Sequence, residues 1–482
     1  MGNLLRLRLL VLTLALCLIF ILLSPEQKIK RPFSLATLPQ KETPWPIQVG
    51  LRIATLRANV ATVNRVVVVP DEATFLAAIK QWSLQGRWPI LIEDSQYTPM
   101  FIQRFQPAEV IRLPAVSNRP TGSQLRESML SAVAAAWDAT DGESLRKTWQ
   151  QLGWQPPGVA IASSTDPAWP AAVALAADRG QPLVFLEDNF GSPNDRLNPE
   201  QWQSLKTTVQ NLVKNTGYPY AALGDAIDTI TIVRQLAVKY QSPTNINESL
   251  AVTDGLARDE TGNRWAVASW IYGSPARSVY QAMCSIFIDS KNALFYDSYP
   301  KEMPWLYYGM DSAASQLTQV GLNVKLVQQP EAGLVGWRKL TANPLNFDLV
   351  FVNSKGDKAS FDVGNGSASV QDVPKLNTPA AVHFLHSFSA TTPDDRDTVA
   401  GRWLENGAYV YVGSVDEPYL TAFIPPKLMA RRIILSVPFL IAARQLESPP
   451  WKITTIGDPL MMITKPRQRI SPNQLPMVKV LE

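Results

Sequence analysis

Runs of consecutive apolar residues, rather than apolar and polar residues in alternation, mark the strands of this chain. Val66 to Val69, Ile90 to Ile92, Val159 to Ala162 and Leu183 to Leu186 are such runs in the first half. Between them lie stretches with helical spacing: one from Pro70-Asp71-Glu72 to about Leu84, one from Gln124 to Trp137 and one from Ala168 to Arg179. A strand with no polar face is buried on both sides, so the pattern predicts parallel sheet covered by helices on both faces. Thr208 to Tyr240 then reads as a helix, a short strand at Tyr220 to Leu223 and an apolar segment from Ile227 to Val233.

The same rhythm returns after the polar stretch Gln241 to Asn247. Strands are predicted at Trp265 to Ile271, Asn292 to Tyr299, Leu322 to Val327, Phe347 to Val352, Ala380 to Leu385 and Ala408 to Val412. Helices are predicted at Pro275 to Phe287, Asp311 to Val320 and Asp394 to Glu405. With 482 residues the chain is too long for one ordinary core, so the polar stretch is taken as a boundary between two compact units. The expected architecture is α/β: two doubly wound, mainly parallel three-layer domains, 63–245 and 246–482, behind an N-terminal membrane helix.

That helix is expected within 1–31. Arg6 and Arg8 precede fifteen uncharged residues, Leu9 to Leu23, and Lys28 to Arg31 bring the positive charge back. Charge beside an apolar run at the N-terminus signals export, and a signal-anchor is expected, with the bulk of the chain extracytoplasmic, in a periplasm or at a cell surface. The segment 32–62, rich in Pro, Gln and Lys, is expected to be a spacer.

Charge excludes some functions. The 45 basic and 41 acidic side chains nearly balance and are scattered, so nucleic acid is not an expected partner. Cysteines occur only at Cys17 and Cys284 and histidines only at His383 and His386, too few soft ligands for a structural zinc site of the usual kind. No glycine-rich phosphate loop occurs, and no metal or cofactor is signalled. Cys284 shares one helical face with Tyr280, Met283 and Phe287, which reads as a small buried hydrophobe. His383, between Val382 and Phe384, is expected to pack within the sheet.

Acidic residues gather where strands end: Glu93-Asp94, Asp166 and Glu187-Asp188. Ligands of open α/β sheets bind at such ends, but acidic residues there also cap following helices, and capping is the expected role. Trp88 to Gln96 and Gln181 to Asn189 share a Pro, an apolar run and a Glu-Asp ending, as a duplicated strand-helix-strand unit would. Ala162 to Asp166 (ASSTD) and Ala174 to Val184 (ALAADRGQPLV) resemble modules of bacterial cell-wall-binding repeat proteins.

Near the C-terminus, Gly407 to Tyr419 (GAYVYVGSVDEPY) and Ile456 to Leu460 (IGDPL) resemble the closing strands of gingipain-like, caspase-related cysteine peptidases. In that family a His-Gly pair ends one strand and a nucleophilic Cys ends the next. The corresponding positions here are Asn353-Ser354-Lys355-Gly356 and His386-Ser387, so the resemblance implies the fold without the catalytic dyad. A binding cleft is then expected at Asn353, Lys355, Asp416 and Glu417 beside His386 and Ser387, taking a peptide or polysaccharide of the cell envelope. The alternative is an atypical hydrolase with His386 as base and Ser387, Ser354 or Cys284 as nucleophile, oriented by Asp416 or Glu417. The aspartates Asp394, Asp395 and Asp397 are expected to cap the helix they precede.

Overall fold

The computed structural model describes residues 34–36, 43–463 and 467–477. The expected signal-anchor at 1–31 lies outside them. Among the described residues no helix is long and apolar enough to cross a membrane.

A small parallel sheet comes first. Strands β1 (Arg65–Val69), β2 (Ile90–Ile92) and β3 (Glu109–Arg112) pair with β1 in the centre. Helix α1 (Trp45–Asn59) precedes them, and α2 (Glu72–Ile79), α3 (Tyr97–Phe105), α4 (Gly122–Ala135) and α5 (Gly142–Leu152) follow their strands. The expected spacer is thus partly folded: α1 buries Val49, Ile53 and Leu56, and its Arg52 pairs with Asp228.

The larger part is built on one ten-stranded sheet. In chain order its strands are β4 (Gly158–Ala162), β5 (Leu183–Phe185), β6 (Thr229–Val233), β7 (Val267–Ile271), β8 (Asn292–Asp297), β9 (Asn323–Gln328), β10 (Leu349–Asn353), β11 (Ala380–Leu385), β12 (Ala408–Ser414) and β13 (Ile453–Ile456). Across the sheet they run β9-β8-β10-β11-β12-β13-β7-β6-β4-β5. The expected division at 245/246 therefore does not separate two sheets: β4, β5 and β6 share theirs with all the later strands. Gln241 to Asn247 instead leads through the turn between two short antiparallel strands, Lys239–Gln241 and Ser249–Ala251. The pieces expected in two cores are hydrogen-bonded into one.

Direction matters as much as order. The five strands from β9 to β12 are mutually parallel, β13 is antiparallel to β12, and β7, β6, β4 and β5 run parallel to β13. The sheet is two parallel halves pointing opposite ways, so their carboxyl ends lie at opposite edges. Acidic residues after β4 and β5 are consequently remote from the ends of β10 and β11.

Helix α6 (Trp169–Arg179) connects β4 to β5, and α7 (Pro199–Asn215) follows β5. Helix α8 (Pro275–Phe287) opens on Ser274, whose hydroxyl accepts from Arg277 N, with Pro275 at its first position. It packs against α6, α3, β2 and β12, joining the small sheet to the large one. Cys284 on its buried face is without solvent contact, and burial drives its thiol pKa well up, as suits a packed hydrophobe.

The late Gly457-Asp458 pair has a structural task. Gly457 takes φ +123°, and a Cβ there would stand 2.7 Å from Val410 Cγ2. Asp458 accepts two hydrogen bonds from Arg179, at 2.8 and 3.1 Å, inside a fully buried ion cluster. In that cluster Arg87, Arg179 and Arg467 converge on Asp178. Burial alone would raise the Asp178 pKa, but Arg467, Arg179 and Arg87 hold it down at about 2.

Candidate functional site

Helices α9 (Asp311–Gln319) and α10 (Leu334–Thr341) lie in the crossovers around β9, and a small antiparallel meander (Gly356–Asp357, Ser360–Val363, Gly366–Ser369) follows β10. Where β8, β9 and β10 end, their loops enclose an open cleft of about 430 Å³. Ser298 and Tyr299 follow β8, Gln329 follows β9, and Lys355, Asp362 and Asn365 come from the turn and meander after β10. Tyr299 and Trp305 form one wall with ring centroids 4.5 Å apart. Glu302 and Asp362 supply acid, Lys355 a base and Gln329 and Asn365 amides, so the cleft offers both signs of charge beside an aromatic wall.

The predicted residues fall in different places. Asn353 pairs across the sheet with Leu385, so the two strand ends singled out in the sequence are neighbours. Its amide is buried, however, donating to Asp297 Oδ1 at 3.0 Å and to the Tyr308 carbonyl at 2.8 Å. It braces the cleft from below and is not exposed for binding. Ser298 Oγ donates to the Asn353 carbonyl and Tyr299 Oη to the Ser354 carbonyl, fixing the same floor. Lys355 is exposed at the rim.

His386 is 1% exposed. Its Nε2 lies 2.9 Å from the Ser360 carbonyl, an acceptor only, so that nitrogen carries the proton. The meander covers the ring, and Gly356 closes the cover, because a Cβ there would come within 2.8 Å of Nε2. Burial depresses the His386 pKa to about 4, against smaller raising effects of backbone hydrogen bonds and of Asp362 and Asp357. Ser387 is half-buried, and among the described residues no hydrogen bond joins its hydroxyl to the imidazole. Ser354 Oγ donates to the Asp362 and Lys355 carbonyls. Neither serine is held as a nucleophile against a base.

Asp416 and Glu417 do not line the cleft. Asp416 accepts from Ser249 N at 2.7 Å, with Lys452 Nζ 3.9 Å away, and the Glu417 carbonyl accepts from Lys452 Nζ at 2.9 Å. They fasten the loop after β12 to neighbouring segments. His383 lies in the core between Phe351 and Phe423, and burial takes its pKa to about 3.

The acidic strand ends satisfy local backbone and side chains. Asp94 Oδ1 accepts from Gln96 N and Tyr97 N at the start of α3, and Asp166 Oδ1 from Ala168 N before α6. Glu187 is held by Ser163 and Ser164. The three aspartates near residue 395 cap no helix at their own position: α11 (Val399–Glu405) begins later, capped by Thr398. Ser298, Tyr299, Glu302, Trp305, Gln329, Asp362 and Asn365 were not singled out in the sequence. Of these only Ser298, Tyr299 and Gln329 carry a sequence signal, their place directly after a strand. Among the described residues no group of three or more His, Cys, Asp or Glu is placed to hold a metal ion.

No protein-family model matches the chain, and no curated protein matches it. Among solved structures, the crystal structure of the Arg specific cysteine proteinase gingipain R (RGPB) is similar at 11% identity and a TM-score of 0.39, over 64% of this chain and 78% of that chain.

Proposed function

We propose that this chain is a binding or scaffolding protein of the cell envelope, tethered by residues 1–31 and taking a peptide or polysaccharide segment in the cleft beyond β8, β9 and β10. One observation supports the reading above others. The two adjacent strand ends where a peptidase of the resembling family has its dyad carry a braced Asn353 and a buried, proton-bearing His386 Nε2, while the cleft beside them stays open and polar. Hydrolysis needs a nucleophile within hydrogen-bond reach of a base. Binding needs only the surface that remains.

The test uses the full-length chain in detergent. Incubated with a mixed peptide library it is expected to release no new fragments. Pull-downs from envelope fractions are expected to recover a peptide or polysaccharide whose capture falls about tenfold in Lys355→Ala and Trp305→Ala, as loss of a cleft anchor would give. Cleavage abolished by His386→Gln would sink this reading in favour of the hydrolase. Capture indifferent to both cleft variants would sink it as well.

A further inference from the structure

A second cavity, of about 310 Å³, lies beyond the carboxyl end of β12, where the chain turns towards β13. Its walls are apolar and aromatic: Tyr419, Ala422, Pro449, Trp451 and Ile453. Tyr419 and Trp451 stack with centroids 5.8 Å apart and planes 11° from parallel, and Tyr419 is 75% exposed. Arg444 and Asp254 also line it.

Charge behind that lining does not balance. Asp254 pairs with three buried guanidiniums: Arg264, Arg444 at 2.9 Å and Arg258 at 3.4 Å. Other Arg nitrogens donate to carbonyls, including those of Gly262, Ser448 and Ile453. Among the described residues these three arginines find one carboxylate. Arg444 Nε and Arg264 Nε are buried with no hydrogen-bond partner. Excess buried charge is costly, since each unpaired ion forfeits its hydration. Burial, with the neighbouring arginines acting in the same direction and Asp254 against them, lowers the pKa of Arg444 to about 9 and of Arg258 to about 10.

An apolar cavity backed by surplus positive charge selects a ligand that joins an apolar body to one negative group. We propose that this cavity binds a carboxylate-terminated apolar group, with the carboxylate at Arg444 and the apolar part against Tyr419 and Trp451. A free N-acylated apolar amino acid and the C-terminal residue of a peptide share that chemistry, and a cavity of this volume holds about one such residue. The site is separate from the cleft beyond β8, β9 and β10, though Tyr308, whose hydroxyl donates to the Leu420 and Phe423 carbonyls, links the two loop systems.

Calorimetric titration of the full-length chain in detergent tests this with N-acetyl-leucine, its amide, and a Leu-ended pentapeptide with free or amidated C-terminus. The acid is expected to bind at least about tenfold more tightly than the amide, which lacks the charge. Thr421→Trp, which fills the cavity from an exposed position, is expected to abolish that binding, and Tyr419→Ala to weaken it several-fold. Binding of both the free acid and the free-ended peptide identifies a peptide C-terminus as the source, and binding of the acid alone identifies a small molecule. Equal binding of acid and amide, no heat with either acid or peptide up to about 10 mM, or acid binding unaltered by Thr421→Trp would each overturn the proposal.

Discussion

His383 and His386 are the two histidines of the chain, and both are enclosed. Their pKa values fall to about 3 and about 4 because burial penalises the imidazolium. A folded pKa below the unfolded one means the unfolded chain takes up the proton first. Each histidine therefore contributes stability that is present above about pH 6.5 and is lost as pH falls towards its folded value. Between about pH 6 and 4.5 one such group changes the unfolding free energy by about 1.4 kcal/mol per pH unit. His386→Gln keeps a donor for the Ser360 carbonyl and does not titrate, so its urea-unfolding free energy is expected to fall less steeply with decreasing pH by that amount. Parallel curves for the two proteins would show that His386 is protonated in the native state. Gly457 makes a second residue-scale case. Alanine there must adopt φ +123° and meet Val410 and the Tyr409 carbonyl, so Gly457→Ala is expected to cost about 2–4 kcal/mol, read from the urea midpoint.

Elements whose information is local were legible in the sequence. Helix α8 runs from Pro275 to Phe287 and β11 from Ala380 to Leu385, as their caps and apolar runs predict. Helix α1 was hidden because its buried face includes Arg52 and Arg57, which are matched by Asp228 and Asp289 far along the chain. An apolar period cannot report a buried salt bridge whose partner is remote. The expected strand at Tyr220 to Leu223 is a turn region, and its tyrosine instead packs edge-on to Trp265. At the candidate site, the strand ends that carry Asn353 and His386 are neighbours, since strand ends follow from strand positions. That both side chains are covered did not follow, because the cover over His386 is the Ser360–Val363 strand of the meander, folding back from outside the sheet.

At the scale of the whole molecule, one pairing decides the architecture. Strand β13 bridges two half-sheets that run in opposite directions, contacting β12 on one side and β7 on the other. A boundary drawn from a polar stretch misses this, because pairing between residues about 185 apart leaves no mark on local composition. Either half alone resembles an ordinary doubly wound unit, which is why two domains are the natural expectation. The two sets of strand ends face away from each other, so a ligand held beyond β10 does not meet the acidic loops after β4 and β5.

The place of β13 bears on how the protein is made. It lies in the centre of the sheet yet, at residues 453–456, is made after both of the strands it pairs with. Until then β12 and β7 each present an unpaired edge, and such edges are templates for pairing with other chains. A chain stopped at Trp451 is expected to accumulate in the insoluble fraction, and adding the separate segment 452–482 during refolding is expected to return soluble protein, as measured by sedimentation. Nascent copies of this protein are thus expected to need those two edges shielded until residues 453–456 have been made and close the seam.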